Sequence, residues 1–118
     1  MANRHRGEIA AELGGATYTL CLTLGALADM EGAFGVTGLA GLAARFEGGN
    51  LSARDLIKIL GAGLRGGGAA LSDDEVATLS SPAGLPGYVR TAASLLAATF
   101  GETPEPDRPA NPPGPQDA

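Results

Sequence analysis

Apolar residues recur along the chain with two periods, first two and then between three and four. Ile9, Ala11 and Leu13 alternate with Ala10 and Glu12, Gly14-Gly15 offers the positive φ angles of a two-residue turn, and Tyr18, Leu20 and Leu22 alternate with Thr19 and Cys21. This predicts a β-hairpin over about residues 7–22 with Leu13 opposite Ala16, Ala11 opposite Tyr18 and Ile9 opposite Leu20, each pair on one face. An isolated hairpin is marginal in water, so that face needs a cover. The expected cover begins at Leu24, where the period lengthens. Leu24, Leu27, Ala28, Met30 and Phe34 follow helical spacing, Thr23 is placed to cap the first turn, and Gly35 is a natural stop.

Four more short helices follow from the same reasoning. One is predicted over about Thr37 to Phe46, with Leu39, Leu42, Ala43 and Phe46 as its stripe. The next has the clearest start in the chain, because Ser52 stands three residues before Asp55; Leu56, Ile57, Leu60 and Leu64 form its apolar face and Arg54, Lys58 and Arg65 lie outside it. In "SDDEV", Ser72 and Glu75 match a capping box for a short fourth helix. The last helix is entered at Pro86 and runs to about Phe100, its stripe read as Leu85 or Val89, Ala92 and Ala93, Leu96 and Phe100. The predicted class is α+β, mainly α: an N-terminal hairpin on a bundle of four to five short helices, forming one small domain over residues 1–101. Residues 102–118, "ETPEPDRPANPPGPQDA", carry too little apolar surface to offset chain entropy and are read as a disordered or polyproline-like tail.

The stretch "GAGLRGGG", Gly61 to Gly68, fits G-x-G-x-x-G and raises the question of a dinucleotide site. That fingerprint needs a preceding strand, a helix opening on the third glycine, and an acidic residue about 20 positions on to hold the ribose. Here the preceding segment has a helix cap and helical period, two more glycines follow, and Ser81 to Leu85 contains no Asp or Glu. The stretch is therefore read as a helix running out into a glycine hinge, and no cofactor is expected. His5 and Cys21 are the chain's one His and one Cys, with no third residue to position them as a catalytic pair. Asp73, Asp74 and Glu75 lack the spaced ligands of a calcium loop and are explained by capping. No metal site and no enzyme activity are expected.

Composition narrows the picture further. With 118 residues, 19 Gly, 8 Pro and five aromatic rings, any core is built largely of Leu and Ala. A formal net charge of −5 and the lack of a basic run give no footprint for nucleic acid. No apolar run approaches the ~20 residues of a bilayer span, and the basic start "MANRHRGEIAAEL" has no apolar segment of a secretory signal after it. A cytoplasmic protein without a membrane partner is expected.

"YTLCLTLGALADMEGAFG", "LAARFEGGNLSARDLIKILGAGLRGGG" and "LSDDEV", in that order over about residues 6 to 101, resemble the small protein of gene transfer agents and siphophage-like elements grouped with phage tail assembly chaperones. No catalytic motif takes part in the resemblance. It implies an assembly role: coating the helical tape measure protein, recruiting tail tube protein around it, and leaving before the particle is complete. Leu56, Leu60, Leu64, Leu96 and Phe100 are the candidate partner-binding residues, with core as the leading reading for each. Gly66 to Gly68 and the proline tail depart from the family pattern, and the glycines are expected to loosen the junction after the third long helix. A structural tail or connector component retained in the particle, and a small helical regulator, stay open as alternatives.

Overall fold

The computed structural model describes residues 3, 6–47 and 51–101. Two strands, β1 (Glu8–Leu13) and β2 (Ala16–Cys21), form an antiparallel hairpin, followed by five helices: α1 (Leu24–Phe34), α2 (Gly38–Glu47), α3 (Ala53–Gly66), α4 (Asp73–Val76) and α5 (Leu85–Phe100). The proline-rich segment, like His5, lies outside the described residues. Gly14 and Gly15, at φ 60° and 83°, make the turn, and the strands pair in the register that alternation predicts: Leu13 with Ala16, Ala11 with Tyr18, Ile9 with Leu20.

The cover on the hairpin differs from the expectation. α3 lies on β2 and α5 on β1, whereas α1 packs on α3 and α2. Leu24, expected in the buried stripe of α1, is 80 % exposed at the first position of the helix; Leu27 and Met30 carry the burial instead. Leu39 of α2 is likewise exposed, while Leu42 and Phe46 are buried.

α3 is the centre of the molecule. Its Ser52–Asp55 capping box is present in both directions, with the Asp55 amide donating to Ser52 Oγ (3.1 Å) and the Ser52 amide donating to Asp55 Oδ2 (3.0 Å). Ile59 is fully buried and Ile57 only half-buried, which rotates the inward face by one position from the predicted one. Leu13, Leu20, Met30, Leu42, Ile59, Leu64 and Leu95 form the enclosed heart of the core.

The glycines of α3 do not make a hinge. The helix runs through Gly61 and Gly63 to Gly66, and these residues let it approach its neighbours. A Cβ at Gly63 would stand 2.5 Å from Leu95 Cδ2 and 3.3 Å from Leu20, and one at Gly66 would press on the backbone carbonyl of Cys21, its carbon 3.0 Å away. At Gly67 the obstacle is the carbonyl of Thr19. A smooth helical side is thus laid against the edge of β2. The chain then reverses at Gly68 (φ 106°) and leads into α4 through a second capping box, Ser72 with Glu75.

Candidate protein-binding site

Three helices meet around one cationic side chain. Arg45 of α2 lies over the rings of Phe34 (5.4 Å) and Phe46 (5.5 Å), which contact each other edge-on at 5.0 Å, and donates to Asp55 Oδ2 of α3 at 3.0 Å. Burial pushes the Asp55 carboxyl up, but hydrogen bonds from the Ser52 amide and hydroxyl and the Arg45 guanidinium outweigh it and hold the carboxyl below its ordinary value. This cluster anchors α2, leaving its other side facing α5 across a shallow groove.

The groove is lined by Ala43, Phe46 and Glu47 of α2, by Leu51, and by Val89, Ala93, Leu96, Ala97 and Phe100 of α5. α5 has two apolar stripes. The one turned to the core is Ala92 and Leu95, both fully buried, with Tyr88, whose hydroxyl donates to the Leu79 carbonyl. The predicted stripe is therefore split: Ala92 faces the core, whereas Val89, Ala93, Leu96 and Phe100 line the groove, and Leu85 is 65 % exposed at the start of the helix. Leu95 is not singled out by the pattern because apolar residues lie on more than one side of this helix, so periodicity cannot choose between stripes; the choice is made by Gly63, which opens the space Leu95 fills.

The five candidate residues are therefore not one site. Leu64 is fully enclosed; Leu56 and Leu60 are buried and form the floor of a second recess, bordered by Ile57, Val76, Leu79, Leu85 and Tyr88. Leu96 and Phe100 are half-buried and share the α2–α5 groove. Phe46 and Ala43, which complete that groove, come from a helix whose position relative to α5 no local pattern encodes.

On the outer side of α3, Asp73 accepts from Lys58 Nζ (2.8 Å) and Arg65 Nη1 (3.0 Å), and Arg65 also donates to the Leu71 carbonyl. Burial raises the Asp73 carboxyl and the two cations lower it further, leaving it below its ordinary value. The acidic cluster is thus a clamp between α3 and α4. Among the described residues, no group of three or more His, Cys, Asp or Glu side chains is placed to hold a metal ion, and no helix is long and apolar enough to cross a membrane.

Comparison with protein families is decisive here: residues 6–102 match the family described as "Phage tail tube protein, GTA-gp10". The chain belongs to this phage tail family. No curated protein and no solved structure matches it. The match spans the hairpin and all five helices, so the whole described fold is the family's unit. The family is a structural rather than a catalytic one, and it points to proteins of the tail as partners. The resemblance to tail proteins of gene transfer agents is upheld at the level of the tail; the family's description is of a tube protein and does not extend to a chaperone.

Proposed function

We propose that the protein is a structural component of a phage-like tail, made in the cytoplasm of the producing cell and retained in the finished particle. The observation that carries this reading is the family match over residues 6–102. The α2–α5 groove supports it, since an open apolar surface with half-buried Leu96 and Phe100 suits a lasting protein contact.

A second reading has an observation of its own. The groove runs between two helices and is lined by side chains from both, a shape that accepts the apolar stripe of an amphipathic helix. This favours transient binding to a helical tape measure protein, as an assembly chaperone would bind it. A variant of the groove tests the surface in either reading. Ala93 is exposed in mid-helix, so Ala93→Arg keeps the helix and places a long charged side chain across the groove. Its melting curve is expected to match the parent's while tailed particles in the producing cells fall at least about tenfold, equivalent to roughly 1.4 kcal/mol of lost contact. Normal tail numbers with Ala93→Arg would remove the groove from the account.

A further inference from the structure

The two outer edges of the hairpin are treated differently by the fold. With Leu13 and Ala16 flanking a two-residue turn, the hydrogen-bonded pairs are Leu13 with Ala16, Ala11 with Tyr18 and Ile9 with Leu20. The backbone groups of the intervening residues point away from the hairpin: Thr17, Thr19 and Cys21 on β2, and Glu8, Ala10 and Glu12 on β1. On β2 the glycine end of α3 lies against the Thr19 and Cys21 carbonyls. On β1 the outward amide of Glu8 donates to the Asn3 carbonyl at 3.0 Å. Among the described residues, no hydrogen bond reaches the outward groups of Ala10 or Glu12, and both residues are exposed.

An open strand edge is a template for another strand, and the charges on this one select among occupants. Glu8, Ala10 and Glu12 share one face of β1. The Glu8 carboxylate meets Arg6 at 3.8 Å, with the Arg6 side chain 73 % exposed, and accepts from the Asn3 amide at 3.0 Å, whereas no ion pair forms at Glu12 among the described residues. A second copy pairing antiparallel about Ala10 would set Glu8 of each chain against Glu12 of the other, placing like charges opposite each other twice. Self-pairing is thereby disfavoured, and a basic strand is favoured.

We propose that the outer edge of β1 accepts a third strand from a partner protein, an extended segment with Lys or Arg at two positions four residues apart. Main-chain bonds to Ala10 and Glu12 hold the strand, the two cations face Glu8 and Glu12, and a small residue between them faces Ala10. This surface is separate from the α2–α5 groove, so its failure would leave the tail role and the groove untouched.

The test uses the full chain, labelled for NMR, and the capped peptide Thr-Lys-Val-Thr-Val-Lys-Thr as probe, with a counterpart carrying Glu in place of both Lys. The basic peptide is expected to slow exchange of the Ala10 and Glu12 amides by about tenfold, while the acidic peptide does not. Raising the salt from about 20 mM to about 300 mM weakens the effect. Ala10→Pro removes the outward amide and leaves the hairpin ladder intact, so the parent's melting curve is kept and protection of Glu12 is lost. Should that variant fail to fold, the double charge reversal Glu8→Lys with Glu12→Lys must exchange the preference from the basic to the acidic peptide. Absence of protection up to roughly 2 mM peptide, equal protection by both peptides, or protection of these amides in the free chain that grows with its own concentration would overturn the proposal.

Discussion

Replacing Gly66 by Ala sets helix propensity against tertiary packing with opposite predicted signs. Gly66 ends α3 with negative φ, so on local grounds a methyl group there gains about 1 kcal/mol of helix propensity. The structure puts that methyl 3.0 Å from the Cys21 carbonyl carbon, and closer still to its oxygen, where ordinary carbon contacts lie at about 3.5–4.0 Å. The obstacle is strand backbone, which cannot swing aside as a side-chain tip can, so α3 must recede from β2 and loosen Leu20 and Leu64 behind it. Overpacking of this kind costs about 1–3 kcal/mol, and the upper end applies. Taking ~3 kcal/mol less the ~1 kcal/mol of propensity leaves about 2 kcal/mol of destabilisation, or roughly 8–16 °C in Tm for a domain of this size. Gly32 is the control: it lies within α1 with open space around it, so Gly32→Ala should gain about 0.5–1 kcal/mol. Thermal unfolding followed by circular dichroism at the helix band reads both. If Gly66→Ala melts at or above the parent temperature, the close approach of α3 to β2 is wrong.

Two other outcomes follow from the core and the ion pairs. Leu60, 3 % exposed, is on the inner face of α3, and Leu60→Asp exchanges about 1.5–3 kcal/mol of apolar burial for an unpaired carboxylate costing several more; unfolded far-ultraviolet spectra at 25 °C are expected, and a native spectrum would place the third helix wrongly. Asp55 and Asp73 are both held below their unfolded values, so the folded chain binds their protons less readily than the unfolded chain does. Their stabilisation is complete above about pH 4 and is lost as the pH falls through the lowered folded values. Melting temperature should therefore drop on acidification, with a shallower acid limb in Asp55→Asn; an unchanged limb in that variant would dissociate Asp55 from acid stability.

The parts of the fold readable from sequence are those decided within a few residues. Alternation and Gly14-Gly15 were enough for strand register because one face must be buried and a slip of one residue would turn it outward. Ser52, Ser72, Gly35 and Gly101 marked helix ends for similarly local reasons: each satisfies backbone groups within one turn. What escaped was decided between elements. Which stripe of α5 faces inward depends on the gap at Gly63, and the glycines at 66 and 67 serve the carbonyls of a strand some 45 residues earlier in the chain. Of the candidate surface, Leu96 and Phe100 were found as a helical stripe, but the groove they share with Phe46 arises from how α2 is pinned by Arg45 and Asp55.

The most direct test of a retained tail component is the ratio of this chain to the other structural proteins of the particle, measured by quantitative mass spectrometry in lysate of producing cells and in purified particles. A fixed stoichiometric ratio that survives purification of the particles is the predicted result. Abundance in the lysate with near absence from particles would contradict it and assign the protein to assembly alone.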